Sequence, residues 1–226
     1  MFFPAAALSA ALLLSVPGLP AAAQPVESGR SFRPPDLVEL VTLDSTLHLD
    51  IRYATGGNFM GRPMYAEARA FLQRPAAEAL VRVHSRLRAR GMGLLVFDGY
   101  RPWSVTKEFW DATPPAKRIF VANPRKGSKH NRGCAVDLSL YDLRTGWEVP
   151  MPSPYDDFTA RASSTYQGGT ESQRRMRDLL RHAMEEEGFS VDAGEWWHFD
   201  YHLWREYAIL NIPFDRLTDP RRRGTN

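Results

Sequence analysis

Two imidazoles and a carboxylate stand at spacings that let them converge on one metal ion. His130 and Asp137 lie seven residues apart, and Gly133 between them allows the chain to turn into a strand. A second imidazole, His198, follows far downstream, three residues after Glu195. Zinc accepts two His and one Asp as ligands and keeps a fourth position for water, whose pKa falls to about 7. The pattern predicts a zinc site with that water as the nucleophile.

Glu195 and Arg101 could supply the remaining chemistry. A carboxylate beside the metal can take a proton from the water and later deliver it to a leaving amine. Arg101 stands between Tyr100 and Pro102 where a predicted strand ends, and a guanidinium there can stabilise the oxyanion of a tetrahedral intermediate. A regular strand would point Glu195 and His198 to opposite faces, so a bend or bulge between them, or a break at Gly194, is predicted.

Each of these residues alone also has an ordinary structural interpretation. An isolated His is commonly a hydrogen-bonded structural residue, and an Asp at a strand start commonly forms a cap or turn. A closed structural zinc site is disfavoured because such sites are rich in Cys, and Cys134 is the only cysteine. His84 lies at the edge of an apolar helical stripe and is interpreted as structural. His202 would share a face with His198 only in a helix, whereas the local pattern favours a strand.

The apolar periodicities predict the elements that must position these side chains. Three helices are predicted, at residues 75–90, 104–111 and 172–187. Strands are predicted at residues 93–97, 135–140 and 195–203, with an extended segment at 37–49 and a mobile loop at 159–170. Long helices and short strands without regular alternation indicate a single α+β domain. We expect helices packed on one mainly antiparallel sheet, with the zinc site at strand ends.

The composition is that of a soluble globular protein. The 226 residues are 43% hydrophobic and 24% charged, which disfavours disordered and membrane-spanning architectures. The net charge is +3, and part of it comes from Arg221–Arg223. This run is interpreted as a solvated basic terminus, so no nucleic-acid partner is expected.

The first residues resemble an export signal, although residues 1–29 contain no Lys or Arg. The apolar run at 5–14 is too short to span a membrane as a helix, and Ala21–Ala23 offers a small-residue cleavage site. The predicted organisation is a signal peptide at 1–23, a linker at 24–35, the zinc domain at 36–212 and a basic tail at 213–226. The expected location is periplasmic or secreted, with a disordered leader as the alternative. Cys134 would stay a free, buried thiol there.

Three motifs resemble those of the zinc D-alanyl-D-alanine dipeptidases of the vancomycin-resistance type. That family is related to D,D-carboxypeptidases and to the hedgehog amino-terminal domain. Ser-x-His-x-x-Gly-x-Ala-x-Asp is present at 128–137, Glu-Trp-Trp-His at 195–198, and Asp-Gly-Tyr-Arg-Pro at 98–102. The resemblance extends from about Leu47 to about Tyr201, which is most of the predicted domain.

By motif position, the resemblance assigns a role to each of these residues. It implies one zinc ion per chain, with these ligands: His130, Asp137 and His198. Glu195 would be the base, and Arg101 would polarise the scissile carbonyl. Asp156 would bind the free amino group of the substrate, with Asp157 as a neighbouring register, and Ser128 would contact the substrate.

The resemblance implies zinc-dependent hydrolysis of D-alanyl-D-alanine or a similar D,D-dipeptide. The same motifs would serve a D,D- or L,D-carboxypeptidase acting on peptidoglycan stem peptides. A non-catalytic zinc domain that binds peptides is the alternative of another class, and the presence of both Glu195 and Arg101 argues against it. The expected partner is a small dipeptide or a peptidoglycan-derived peptide. Residues 159–169 depart from the dipeptidase pattern, which could alter how the site is closed.

Overall fold

The computed structural model describes residues 23–217. In chain order the elements are β1 (Leu37–Glu39), α1 (Leu40–Leu43), β2 (His48–Leu49), β3 (Phe71–Gln73), α2 (Arg74–Arg88), β4 (Met92–Asp98), α3 (Trp103–Ala112), β5 (Ala135–Asp142), α4 (Glu171–Glu185), β6 (Phe189–Val191), β7 (His198–Tyr201) and α5 (Phe214–Leu217). Short 3-10 turns lie at Arg52–Ala54, Pro115–Phe120, His130–Arg132, Ala160–Ala162 and His202–Glu206. The predicted signal peptide, apart from its last residue, and most of the predicted basic tail lie outside the described residues.

A five-stranded sheet in the order β2-β4-β5-β7-β6 forms the centre of the fold. The pairs β4–β5, β5–β7 and β6–β7 are antiparallel, and the short β2 adds a parallel edge to β4. The predicted α+β class with a mainly antiparallel sheet is therefore confirmed. The sequence did not reveal the second sheet, an antiparallel ribbon of β1 and β3.

Helices α2 and α4 pack against the sheet and against each other. Pro75 lies in the first turn of α2, where a missing N–H costs no helical hydrogen bond, and Gly91 follows the helix with a φ of +77°. Thr170 and Gln173 form a reciprocal capping box at the start of α4. Burial of each Leu or Val on the inner faces contributes about 1.5–3 kcal/mol. The three predicted helices are confirmed to within a few residues.

Two of the predicted extended segments are shorter than expected. Strand β7 begins at His198 and not at Glu195, because a turn precedes it in which the His198 amide donates to the Glu195 carbonyl at 3.1 Å. The predicted segment at 37–49 is interrupted by α1. There the Thr42 hydroxyl donates to the Glu39 carbonyl, a local hydrogen bond that favours a turn over a continuous strand.

The predicted loop at 159–170 contains one 3-10 turn and is tied to the segment before β7. The Trp196 amide donates to the Ala162 carbonyl at 2.8 Å, and the Ser164 amide donates to the Ala193 carbonyl at 3.2 Å. Ala162 itself is buried. The loop thereby supports the turn that carries Glu195. Its mobility stays a prediction.

Residues on both sides of the predicted domain contact it. In the predicted linker, Glu27 forms an ion pair with Arg132 at 2.6 Å. In the predicted tail, the ring of Phe214 packs against Tyr65 and Phe71. Both segments therefore contribute contacts to the predicted domain. Between residues 23 and 217, no helix has the length and apolar character that a membrane crossing needs.

Gly99 offers a test of how tightly β3 and the end of β4 pack. A Cβ at this position would lie 2.8 Å from the Phe71 carbonyl oxygen, which also accepts a hydrogen bond from the Tyr100 amide. Gly99→Ala is expected to lower the free energy of unfolding by about 1–3 kcal/mol, because two backbone segments must separate. Urea denaturation of the metal-free protein measures this change.

The matched control is Gly56→Ala, whose added Cβ would meet its nearest atom, the Gly61 carbonyl oxygen, at an ordinary 3.6 Å. Equal stabilities of the two variants would contradict the packing described for Gly99.

Candidate metal centre and active site

Three elements bring the predicted metal ligands together. His130 lies in a 3-10 turn that Gly133 ends with a φ of +67°, a backbone conformation that favours glycine. Asp137 lies on β5 and His198 is the first residue of β7. The register of the two strands sets Asp137 directly opposite His198. Strand pairing thus brings together Asp137 and His198, which are 61 residues apart in the sequence.

The three facing ligand atoms form a nearly equilateral triangle. His130 Nε2 lies 3.1 Å from His198 Nδ1 and 3.3 Å from Asp137 Oδ1, and His198 Nδ1 lies 2.9 Å from Asp137 Oδ1. A tetrahedral zinc site with bonds of about 2.0–2.1 Å has edges of about 3.3–3.4 Å between ligand atoms. The donor set and its spacing therefore fit zinc.

The second nitrogen of each imidazole is held by a hydrogen bond. His130 Nδ1 donates to the Gly99 carbonyl at 2.8 Å, and His198 Nε2 lies 3.0 Å from Asp200 Oδ1. A carbonyl can only accept, so the Nε2 of His130 keeps its lone pair free for a metal. Both rings thus meet the usual requirement that a ligating His donate its other N–H to an outer partner.

The charges of the cluster are strongly coupled. Burial acts to raise the pKa of Asp137, but the imidazoles of His130 and His198 hold it well below its usual range. Burial acts to lower the pKa of His198, but its hydrogen bonds to Asp137 and Asp200 hold it well above its usual range. A cation at the centre of the triangle would favour the ionised carboxylate and the neutral imidazoles.

Glu195 lies beside the ligands on the turn that precedes β7. Its Oε2 is 3.9 Å from His198 Nδ1, and the side chain is 28% exposed. This turn supplies the bend that the sequence required between Glu195 and His198. Burial raises the pKa of Glu195 to about 8, the His198 ring opposes the shift and the Asp137 carboxylate adds to it. A bound cation would also oppose the shift.

Arg101 reaches the centre from the segment after β4 and is held there by Asp98. Asp98 Oδ2 accepts from Arg101 Nε at 2.9 Å and from Nη2 at 2.7 Å, and its Oδ1 accepts from the Tyr65 hydroxyl at 2.8 Å. Arg101 Nη2 lies 3.8 Å from Asp137 Oδ2. The sequence reasoning missed the role of Asp98, for which the signal was a carboxylate three residues before the arginine at the same strand end.

Asp156 has a strained backbone and a hydrogen-bonded carboxylate. Its φ of +57° is rare for a residue with a side chain and costs on the order of 1–3 kcal/mol. The Tyr53 hydroxyl lies 3.2 Å from each of its carboxylate oxygens. Burial raises the pKa of Asp156 to about 7, with Asp137 adding to the shift and Arg101 opposing it. Asp157, the alternative candidate for this role, instead pairs with Arg161, which does not line the cavity.

The three candidate ligands, Glu195, Arg101 and Asp156 border one cavity of about 90 Å³. Ser128 lines it and accepts a hydrogen bond from the His130 amide at 3.2 Å. The aromatic part of the wall consists of Tyr53, Phe59, Phe109, Phe120, Phe158 and Trp197. The rings of Phe120 and Phe158, from two separate loops, stack with centroids 5.1 Å apart. The cavity lining thus combines charged and polar side chains, including the candidate metal ligands, with a group of aromatic rings.

Other residues singled out by sequence lie elsewhere. His84 is buried, accepts from the Leu94 amide at 3.0 Å and bonds the Thr46 hydroxyl at 3.0 Å, as expected of a structural histidine. His202 Nδ1 lies 3.1 Å from the Gly188 carbonyl, outside the ligand cluster. Cys134 is free and buried, as predicted.

An open centre of three ligands, with a carboxylate and a guanidinium beside it, is typical of metal-dependent hydrolases. The sequence model of the D-ala-D-ala dipeptidase family, Peptidase_M15, matches residues 34–204. The chain belongs to this family of metallopeptidases, and the resemblance drawn from its motifs is confirmed.

Curated relatives cover most of the chain. The D-alanyl-D-alanine dipeptidase of Escherichia coli (strain K12) is 30% identical over 82% of this chain and 94% of its own length. The D-alanyl-D-alanine dipeptidase of Enterococcus faecium is 35% identical over 76% of this chain and 95% of its own.

Two solved structures match the chain at lower sequence identity. The LD-carboxypeptidase LdcB is 19% identical with a TM-score of 0.41, covering 75% of this chain and 69% of its own. The vancomycin-resistance D,D-dipeptidase VanXYg, solved with a D-Ala-D-Ala phosphinate analogue, is 19% identical with a TM-score of 0.36, covering 73% and 58%.

The ligand set predicts how metal binding responds to substitution. His130→Ala removes one corner of the triangle and is expected to weaken zinc binding by more than the roughly 10–100-fold that loss of an outer partner causes. The zinc content after dialysis against a weak chelator measures this loss. Zinc should also raise the unfolding temperature of the wild-type protein but not of the variant.

His182→Ala is the matched control because its side chain is 74% exposed on α4. Stoichiometric zinc in His130→Ala would exclude that residue as a ligand.

Proposed function

We propose that this protein is a zinc-dependent dipeptidase that hydrolyses D-alanyl-D-alanine or a closely similar D,D-dipeptide. The observation that carries the proposal is that one small cavity is bordered by the ligand triangle, Glu195, Arg101 and Asp156. Family membership and the names of the curated relatives support the same substrate class.

His130, Asp137 and His198 would hold one zinc ion per chain. When bound, zinc supplies Lewis-acid activation of water and of the peptide carbonyl. Glu195 accepts a proton from the attacking water on its carboxylate and delivers it to the nitrogen of the leaving D-alanine as the C–N bond breaks. Burial raises the pKa of this carboxyl, and a bound cation would lower it again towards neutral pH. Such a pKa suits a group that must both take and return a proton near neutral pH.

Arg101 would stabilise the negative charge that develops on the carbonyl oxygen. The two hydrogen bonds to Asp98 fix the plane of the guanidinium, so little reorganisation is needed when the charge appears. The rings of Tyr53 and Phe109 lie 5.2 and 4.8 Å from the guanidinium carbon and exclude water from its faces.

Asp156 would bind the free ammonium of the dipeptide. A carboxylate in a largely apolar wall needs a cation to offset its desolvation, and a substrate ammonium supplies one. The Tyr53 hydroxyl orients the carboxylate. Ser128 lines the same cavity and would contact the substrate through its hydroxyl.

The position of Asp156 favours a dipeptide over a stem peptide. A carboxylate in the cavity wall suits a substrate with a free ammonium. A D,D- or L,D-carboxypeptidase must instead leave room for an acylated nitrogen where Asp156 stands. Inactivity on D-Ala-D-Ala together with cleavage of longer muropeptides would favour that alternative.

Glu195→Gln tests the base. The amide keeps the shape of the side chain but cannot take a proton, so kcat on D-Ala-D-Ala is expected to fall by about 10²–10⁴-fold. Zinc content should stay unchanged, since Glu195 is not among the three ligands. D-alanine release by the zinc-loaded protein measures the rate.

Glu186→Gln is the control, since this glutamate is 61% exposed and pairs with Arg86 on the surface. Retained turnover in Glu195→Gln would refute the assignment, and a dipeptide-binding protein without turnover would show no difference between the two variants.

Asp156→Asn tests recognition of the ammonium. Loss of a charge-assisted hydrogen bond worth about 1.5–3 kcal/mol is expected to lower kcat/KM for D-Ala-D-Ala by roughly 10–150-fold, mainly through KM. Michaelis kinetics with D-Ala-D-Ala and with N-acetyl-D-Ala-D-Ala measure the effect. The wild-type protein should prefer the free amine, and the variant should lose most of that preference.

Asp157→Asn is the matched control because this neighbouring carboxylate pairs with Arg161 at 2.7 Å. If Asp157→Asn lost the preference for the free amine while Asp156→Asn kept it, Asp157 and not Asp156 would bind the ammonium.

A further inference from the structure

Asp200 and Lys129, which have no role in the proposed reaction, form a series of contacts that starts at His198. His198 Nε2 lies 3.0 Å from Asp200 Oδ1, and Asp200 Oδ2 accepts a hydrogen bond from Lys129 Nζ. The Asp200 side chain is 11% exposed, whereas the Lys129 side chain is 35% exposed. This series of contacts therefore runs from the metal ligands towards solvent.

Neither Asp200 nor Lys129 belongs to the side chains that line the described cavity. Asp200 contacts the candidate ligand His198 and can therefore influence the metal site through that ring. One ring nitrogen of His198 faces the ligand triangle and the other faces Asp200. The orientation of the ring is thus set from both sides.

The strand register makes room for this contact. His198 and Asp200 are two apart on β7 and share a face, and the residue opposite Asp200 on β5 is Ala135. A small side chain at that place leaves space for a carboxylate beside the imidazole. Any larger side chain at Ala135, which is fully buried, would compete for it.

Lys129 joins this arrangement to the other half of the metal site. It immediately precedes His130, and its carbonyl accepts from the Cys134 amide at 3.1 Å where β5 begins. Its ammonium lies 5.3 Å from the centre of the Trp204 ring, which restricts the side chain further. The ion pair with Asp200 thus connects the segments that carry His130 and His198.

We propose that Asp200 and Lys129 are positioning residues of the zinc site. Asp200 holds His198 in the tautomer whose Nδ1 lone pair is free, and Lys129 fixes the carboxylate of Asp200 and balances its charge. The inference rests on the metal ligands of the proposed function but does not depend on the substrate. Outer partners of this kind typically raise metal affinity by about 10–100-fold.

The zinc dissociation constant, measured by competition with a chromophoric chelator, tests the proposal. Asp200→Ala is expected to bind zinc about 10–100-fold more weakly. Asp200→Asn keeps an oxygen for His198 but loses the charge, so it should show a smaller loss and carries the test if the alanine variant does not fold. Lys129→Met should also weaken binding, and Lys129→Arg should restore it.

The matched controls are Lys107→Met and Asp111→Asn, which break a surface ion pair on α3 away from the metal ligands. They should leave zinc affinity unchanged. The visible absorption of the cobalt-loaded protein gives a second readout, because a change in the basicity of His198 alters the ligand field. Asp200→Asn should shift the band, and the control variants should not.

Zinc affinities within twofold of the wild-type value for Asp200→Ala and Asp200→Asn would overturn the proposal. So would a loss of affinity that merely follows a lowered unfolding temperature of the zinc-free variants, since that indicates a general structural role. None of these measurements uses a dipeptide. They would therefore still test the roles of Asp200 and Lys129 if the proposed dipeptidase activity were wrong.

Discussion

The antiparallel pairing of β5 with β7 is the constraint on which the site depends. Asp137 lies opposite His198, and the next pair, Val136 and Phe199, faces the other way and is fully buried. A slip of one residue would turn Asp137 into the core and Val136 into the cavity. The burial of apolar side chains on one face therefore fixes the distance between two candidate metal ligands on the other face.

The site concentrates charge in a place where water is scarce. Asp98, Arg101 and Asp137 are each buried, and their desolvation is offset by mutual contacts and hydrogen bonds. The same shortage of water strengthens each electrostatic interaction with a bound substrate. Removing one of these three residues leaves a buried partner unpaired, so their contributions to stability are not independent of one another.

Much of the architecture could be predicted because it follows from local pattern. The periodicity of α2 and α4 was sufficient to predict these helices. The motifs around His130 and Glu195 were sufficient to predict that His130, Asp137 and His198 lie together. Asp98, Asp200 and the interruption of the first extended segment by α1 were missed. Their roles depend on contacts between residues far apart in the chain or on a side chain bonding its own backbone, and spacing alone does not encode these.

The proposed base and the candidate metal ligands are supported by different parts of the chain. Strands β5 and β7 fix the positions of Asp137 and His198. The turn that carries Glu195 is also held by hydrogen bonds to the segment at 160–164. A substitution in that segment can displace Glu195 while His130, Asp137 and His198 stay in place. Under the proposed function, turnover could therefore be lost over evolutionary time without a loss of metal binding.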